Sequence, residues 1–336
     1  MKKISEIFLT IVLFTLNGLH ISAQSTDIYS FDKKIALPGD GSYDYIALDP
    51  IGNKLYVSHG TSVNVVDLGT EKPVGEISGM KGVHGIAIDP NTQKGFISDG
   101  KGNAVIAFDL STFKKLATIQ LSSPDPDAII YDSFSKKVFS FNGDGKNISV
   151  LDPIALKEIG KIELGGGPEF AVSNGKGKIY NNIEDKNLIK TIDVQTMKVV
   201  AEFPLAPCGG PTGLAMDTGN SRLFTACREN KGMSVVDMNS GKVIMTLPIG
   251  AGVDAVVYDP VTKLIFCSCG DGTTTIIKQE AADSYKVVQT LKTQNRAKTM
   301  ALDLKTHKIY LSAPGFTPGT RKVKPGSFSL FVYKRN

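Results

Sequence analysis

Near its amino terminus the chain reads Tyr45-Ile46-Ala47-Leu48-Asp49-Pro50 and then, after a short gap, Lys54-Leu55-Tyr56-Val57-Ser58. Two apolar runs on either side of an Asp-Pro turn indicate a pair of short strands, because Asp bonds its own backbone in a turn and Pro fixes φ. The pattern recurs six times, with its turn residue at Asp89, Asp132, Asn174, Asp217, Asp259 and Asp303. Successive copies are 40 to 44 residues apart, which is the length of a four-stranded propeller blade. The sequence therefore predicts an all-β fold, a seven-bladed β-propeller of four-stranded blades.

The last copy lacks one strand. Each complete copy contains four strand-like segments, A to D in chain order, but the chain ends after the C segment of the last copy at residues 327–333. A spare D-like segment, Lys-Lys-Ile-Ala-Leu, precedes the first copy at residues 33–37. We expect this segment to complete the last blade and close the ring, because a closed ring leaves no open sheet edge between the first and last blades.

The repeats resemble those of a known family. Turns of the type Ala47-Leu48-Asp49-Pro50 followed by Lys54-Leu55-Tyr56-Val57-Ser58 are similar to those of the YVTN-repeat, YncE-like seven-bladed propellers, and the resemblance covers residues 29–336. The fourth copy departs from the pattern, with Ser173-Asn174-Gly175 in place of the acidic turn. The resemblance implies the fold, whereas function has to be sought in the residues that differ between copies, since propellers support many activities.

The first 23 residues read as a secretory signal. Lys2 and Lys3 precede an apolar stretch at residues 7–19, and Ala23 is the small residue expected at a cleavage site. The apolar stretch is shorter than the roughly 20 residues that span a bilayer. We therefore predict export to the periplasm or the medium, no membrane-spanning segment, and a single propeller domain at residues 24–336.

Charge and composition restrict the classes of partner that we expect the protein to bind. The formal net charge is +5, and basic residues cluster only in the last loop, at Arg321, Lys322 and Lys324. A nucleic-acid partner is therefore not expected, because such proteins usually carry a concentrated basic face. The sequence contains no Gly-x-Ser-x-Gly or His-Glu-x-x-His motif, so enzyme activity stays undecided. We expect a monomer that binds a small molecule or a protein.

The candidate site lies at the start of strand A. Five residues before each turn anchor stand Asp44, His84, Asp127, Glu169, Thr212, Asp254 and Lys298. Strand A is the innermost strand of a blade, so these residues should surround the mouth of the central channel, on the face opposite the Asp-Pro turns. Arg228, which follows strand B of the fifth copy, is predicted to reach the same ligand.

Four carboxylates at one mouth repel one another and require positive charge. A divalent cation held by Asp44, Asp127, Glu169 and Asp254 is one solution, and the oxygen-rich set favours Ca²⁺, Mg²⁺ or Mn²⁺. An ion-pair network through Lys298 is the other solution, and it needs no ligand. The sequence leaves both open.

A second resemblance suggests chemistry. Pro126-Asp127, Pro168-Glu169 and Pro211-Thr212-Gly213-Leu214 are similar in placement to motifs of the gluconolactonase and regucalcin propellers, whose metal ligands stand at strand-A starts. This resemblance implies, as an alternative to a binding protein, a divalent-metal-dependent hydrolase or lyase. In that case His84 or Glu169 would move the proton.

The four cysteines allow more than one pairing. A Cys208–Cys227 disulfide and buried free thiols are both compatible with the repeat positions. Cys267 and Cys269 alternate along one strand and are too poorly placed to bridge each other. At the ends of other B strands, His59 and Asp99 should lie on the same face as the candidate site, where they either support its ligands or, as we predict, are exposed turn residues.

Overall fold

The structure is a computed structural model that describes residues 27–317, 319–320 and 322–336. Seven four-stranded antiparallel sheets form the blades of a ring, which confirms the predicted all-β, seven-bladed propeller. The predicted signal and Arg321 lie outside the described residues. Among the described residues, no helix has the length and apolar character needed to cross a bilayer.

The strands follow the repeat. β1 (Tyr29–Ala36) precedes the first blade. Blades 1 to 3 consist of β2 (Tyr43–Asp49), β3 (Lys54–His59), β4 (Ser62–Asp67) and β5 (Lys72–Ile77); β6 (Val83–Asp89), β7 (Lys94–Asp99), β8 (Ala104–Asp109) and β9 (Lys115–Gln120); β10 (Pro126–Asp132), β11 (Lys137–Asn142), β12 (Asn147–Asp152) and β13 (Lys157–Glu163).

Blades 4 to 6 consist of β14 (Pro168–Ser173), β15 (Lys178–Ile183), β16 (Leu188–Asp193) and β17 (Lys198–Pro204); β18 (Pro211–Asp217), β19 (Arg222–Cys227), β20 (Gly232–Asp237) and β21 (Val243–Pro248); β22 (Val253–Asp259), β23 (Leu264–Cys269), β24 (Thr273–Ala281) and β25 (Ser284–Lys292). Blade 7 consists of β26 (Met300–Leu302), β27 (Ile309–Ala313), β28 (Ser329–Arg335) and β1. Two short 3₁₀ turns occupy Gly100–Gly102 and Glu184–Lys186.

The core lies between blades rather than within one sheet. The middle strands B and C are buried on both sides, so they lack the alternation of a sheet that faces water. Tyr56 and Val65 of blade 1, for example, pack against Ile97 and Phe108 of blade 2. The outermost strands carry the exposed residues. Each blade is therefore stabilised mainly by its neighbours.

The amino-terminal strand closes the ring as predicted. β1 pairs antiparallel with β28 from Tyr29 opposite Arg335 to Ala36 opposite Ser329. The Tyr29 side chain is fully buried, its hydroxyl donates to the carbonyl oxygen of His307 at 2.7 Å, and its ring lies edge-on to Phe266. The two ends of the chain thus share one blade.

The Asp-Pro turns are structural. Asp49 is buried, and its Oδ1 accepts hydrogen bonds from the backbone N–H groups of Ile51 at 3.0 Å and Gly52 at 2.9 Å. Equivalent backbone bonds are accepted by the turn residues of the other copies, at Asp89, Asp132, Asn174, Asp217, Asp259 and Asp303. These carboxylates hold the turns that define one face of the disc, which we call the Asp-Pro face.

Candidate functional site

The strand-A starts surround a small cavity at the channel mouth, on the face opposite the Asp-Pro face. Its volume is about 110 Å³, and its lining includes six predicted residues, Asp44, Asp127, Glu169, Arg228, Asp254 and Lys298. His84 joins this group through contacts to Asp44 and Asp127. Thr212 is fully buried instead, and its hydroxyl donates to the carbonyl oxygen of Val253 at 3.4 Å. The counting rule therefore brings six of its seven residues together, and Arg228, predicted from the end of strand B, joins them.

Buried polar residues of strand B fix the backbone of these starts. The Ser98 hydroxyl donates to the carbonyl oxygen of Asp127 in the next blade. Asn182 donates in the same way to the carbonyl oxygen of Thr212 at 2.7 Å, and the Ser268 hydroxyl donates to that of Lys298. These bonds cross from blade to blade. They hold the starts of these three A strands, and hence the directions of their first side chains, through the backbone alone.

One half of the mouth is a carboxylate–imidazole cluster. His84 Nδ1 lies 2.8 Å from Asp44 Oδ2 and 3.4 Å from Asp127 Oδ1. One ligand atom from each of the three residues lies within 4.8 Å of the other two. Asp127 Oδ1 is buried and makes no hydrogen bond of good geometry among the described residues. A buried carboxylate oxygen of this kind is available to a cation.

The other half is an ion-pair network. Asp254 is almost fully buried; its Oδ1 accepts from Arg228 Nη2 at 2.6 Å, and its Oδ2 accepts from Lys298 Nζ. Arg228 also donates through Nη1 to Glu184 Oε1 at 2.8 Å. Burial acts to lower the pKa of Lys298, but the Asp254 carboxylate outweighs it and the pKa is raised. Asp254 is thus already neutralised by two side chains.

The predicted set of four metal-binding carboxylates does not form one cluster. Asp44 and Asp127 come together with His84, whereas Asp254 pairs with Arg228 and Lys298. Glu169 lines the cavity but does not belong to the group of close ligand atoms. The sequence left open a cation site and an ion-pair network. The structure places a possible cation site in one half of the mouth and an ion-pair network in the other half.

Burial and mutual repulsion raise the proton affinity of the acidic half of the mouth. Burial, followed by the charge of Asp44, raises the pKa of Asp127 to about 7. Burial, followed by the charge of Asp127, raises the pKa of Glu169 to about 9. Burial acts to lower the pKa of His84, but its hydrogen bond to Asp44 and the charges of the neighbouring carboxylates together outweigh this, and the pKa is raised. At neutral pH the Glu169 carboxyl is protonated and Asp127 is close to its midpoint.

Two aromatic residues at the mouth were not predicted from the sequence. Tyr45 and Phe170 line the cavity with ring centroids 4.6 Å apart. Each follows a strand-A start directly, and the other copies have small residues at this position, namely Gly85, Ala128, Gly213, Ala255 and Thr299. A comparison of side-chain size at equivalent positions is the signal that could have found them. Together they form an apolar wall beside the carboxylates.

His59 and Asp99 are buried, so the prediction that they are exposed turn residues is wrong. The His59 ring stacks on Phe328 with centroids 3.7 Å apart. Asp99 accepts hydrogen bonds from the backbone N–H groups of Lys81 at 2.9 Å and Gly82 at 2.8 Å. Both residues end a B strand, but the loops between blades cover them.

A disulfide supports the network. Cys208 and Cys227 are joined with their Cα atoms 5.1 Å apart, and Cys267 and Cys269 are buried free thiols. Cys227 is the last residue of β19, so the bond fixes the backbone from which Arg228 reaches Asp254.

Alkylation tests this pairing. We expect the unfolded, unreduced protein to take up alkyl groups at Cys267 and Cys269 alone and at all four cysteines after reduction. Intact-mass spectrometry measures this. Reduction should also destabilise the protein by about 3 kcal/mol, the chain-entropy value for a loop of this length. Labelling of all four cysteines before reduction would contradict the pairing, and a Cys267→Ser variant should lose one label as a control.

Comparison with known proteins identifies a distant relative but no family. No protein-family model matches the chain. Over 200 residues it is 24% identical to a protein named Antigen Lp49 from Leptospira interrogans serogroup Icterohaemorrhagiae serovar copenhageni (strain Fiocruz L1-130). The match covers 54% of this chain and 41% of that protein, so it spans less than half of the relative's length. The seven sheets establish the propeller, and membership of the YVTN-repeat, YncE-like family stays a prediction.

Proposed function

We propose that the protein is an exported, monomeric binding propeller of the YVTN-repeat type whose channel mouth binds a divalent cation. The observation that carries this proposal is the close grouping of ligand atoms from Asp44, His84 and Asp127. Asp127 Oδ1, which is buried and accepts no hydrogen bond of good geometry among the described residues, would supply an oxygen ligand. A carboxylate-rich set suits Ca²⁺, Mg²⁺ or Mn²⁺. The remaining coordination positions would be open to water or to a small-molecule or protein ligand seated at the mouth.

Proton affinity at the mouth supports the same proposal. The pKa of Asp127 is raised to about 7 because burial and a neighbouring negative charge oppose its ionisation. A cation at the cluster would reverse both effects and release the proton. Binding should therefore strengthen as the pH rises through 7. The network of Lys298, Asp254, Arg228 and Glu184, which contains two cationic and two acidic side chains, would stay in place and balance charge on the opposite wall of the cavity.

Thermal melts with added metal test the proposal. At pH 8 we expect at least one of Ca²⁺, Mg²⁺ and Mn²⁺ to stabilise the protein by roughly 2–3 kcal/mol when its concentration is about 100 times the dissociation constant. The shift should shrink at pH 6 and disappear in an Asp127→Asn variant. Asp144→Asn, which changes an exposed carboxylate on the same face, should respond like the wild type. No shift with any of the three metals, or an equal shift in Asp127→Asn, would contradict a site at this cluster.

One observation favours the alternative of a metal-dependent hydrolase or lyase. The carboxyl of Glu169, with its pKa raised to about 9, lies on the same cavity as Asp44 and Asp127. A carboxylic acid that keeps its proton at neutral pH is suited to act as a general acid. Hydrolysis of a model lactone by the metal-loaded protein, lost in a variant that still binds metal, would favour this alternative over binding alone.

A further inference from the structure

The opposite end of the channel is apolar. Two adjoining hollows of about 490 and 360 Å³ open on the Asp-Pro face and share Ile130 and Tyr131. We call them together the apolar vestibule, and its lining includes Leu48, Ile88, Ile130, Met216, Val257 and Leu302. All seven blades contribute to it. Its volumes fall within the roughly 300–1,000 Å³ of typical small-molecule pockets.

Polar side chains in the vestibule already have partners. The Tyr131 hydroxyl accepts from Asn91 Nδ2 at 2.9 Å, and the Tyr258 hydroxyl donates to Gln279 Oε1 at 2.6 Å. The Ser173 hydroxyl donates to Asp132. Because these hydroxyl groups already form hydrogen bonds with other side chains of the protein, the hollow itself favours an apolar occupant.

Apolar side chains extend the vestibule outward. Ile51 and Leu304 line its edge and are 70% and 50% exposed. Val261, on the equivalent turn of blade 6, is also largely exposed. Large apolar side chains grouped around a hollow mark a binding site more often than isolated ones do.

Lysines are exposed at the rim of the vestibule, whereas Asp49, which also lines the smaller hollow, is buried. The acidic anchors of the turns are buried and accept backbone hydrogen bonds, as Asp303 does from the N–H of Lys305. The Lys305 side chain is exposed, and its Nζ donates to the carbonyl oxygen of Pro50 at 2.6 Å. Leu304, which precedes Lys305, lines the larger hollow, and Pro50 lines the smaller one. The contact of this ammonium with Pro50 therefore places it beside the rims of both hollows, although Lys305 itself lines neither. It has two N–H donors left for an anion. Lys136 and Lys176 are exposed on the turns of blades 3 and 4.

We propose that the apolar vestibule binds a single-chain anionic amphiphile, such as a free long-chain carboxylate, with its chain in the hollows and its anionic group at Lys305. This occupant matches both the apolar lining and the exposed lysines at the rim. The site is separate from the channel mouth and requires no metal.

Isothermal titration calorimetry of the full chain with decanoate tests this proposal. The buffer contains EDTA, and decanoate stays below the concentration at which it forms micelles. Decanoate should bind at one site. Leu304→Asp, which places a like charge at the edge of the hollow, should weaken binding at least tenfold. Lys305→Gln should weaken decanoate about threefold and leave the binding of neutral decanol unchanged.

Matched controls keep the result specific. Val200→Asp changes a side chain that is 51% exposed on the outer strand of blade 4, and Lys292→Gln changes an exposed lysine at the end of β25. Both should bind decanoate like the wild type, and thermal melts should confirm that all variants fold. The proposal is overturned by no binding of decanoate, by wild-type affinity in Leu304→Asp, or by equal weakening in Val200→Asp. Binding to sedimented phosphatidylglycerol vesicles without binding of decanoate would also overturn it, in favour of a membrane surface. EDTA separates all these outcomes from a failure of the metal proposal.

Discussion

Removal of residues 29–37 is expected to lower the melting temperature of the whole ring by more than about 10 °C. These residues supply the outer strand of blade 7 and bury Tyr29, Ile35 and Leu37. Each of these side chains is worth about 1.5–3 kcal/mol of burial. Loss of β1 also leaves β28 as an open edge, and it releases the link between the two ends of the chain. Circular dichroism melts of the truncated and full proteins measure the effect.

Two point variants in β1 distinguish the stability that comes from burying its side chains from the stability that comes from pairing the strand itself. Tyr29→Ala should cost about 3–5 kcal/mol, as expected for deletion of a fully buried aromatic side chain. Phe31→Ala removes a ring that is 54% exposed on the same strand, and it should cost less than about 1 kcal/mol. A truncated protein that melts like the full one would show that the ring does not depend on this closure.

The architecture was predictable because its signals are local. Each turn anchor bonds its own backbone, so Asp49 and its equivalents mark the blades without reference to the rest of the molecule. The closing strand was also predicted, but only at residues 33–37, whereas β1 begins at Tyr29. Its first residues depend on contacts with Phe266 and His307. Such distant contacts leave no periodic trace in the sequence.

The site was predictable in position and not in pairing. Counting back from the anchors placed Asp44, Asp127 and Asp254 at the mouth, because the first residues of these A strands stand at the same distance from the turn anchor in each of their blades. Which carboxylate meets which cation depends on side-chain direction and on loops from other blades. Arg228 reaches Asp254 from the end of a B strand and also binds Glu184 in a neighbouring blade. No spacing rule in the sequence carries that information.

A Glu169→Gln variant is expected to be more stable than the wild type at pH 8 by roughly 2–4 kcal/mol in metal-free buffer. Burial and nearby carboxylates raise the pKa of Glu169 to about 9 in the folded protein, whereas an unfolded Glu has a pKa of about 4.3. Between these two values the folded state holds a proton that the unfolded state has released. The contribution of Glu169 to wild-type stability is therefore fully present below pH 4 and is lost as the pH rises towards 9. Glutamine cannot ionise, so the variant escapes this loss.

Urea unfolding at pH 5 and pH 8 measures the difference. From pH 5 to pH 8 the wild type should lose more stability than Glu169→Gln, by at most about 1.4 kcal/mol for each pH unit. The pKa of Asp127 is raised to about 7, so its ionisation also lowers the stability of the folded protein as the pH rises towards 7. This loss of stability occurs in both the wild type and Glu169→Gln. Glu163→Gln changes an exposed carboxylate at the end of β13 and should keep the wild-type slope. Equal slopes in wild type and Glu169→Gln would mean that Glu169 ionises in the folded protein as it does in the unfolded chain, and Glu169 could then not serve as a proton donor at neutral pH.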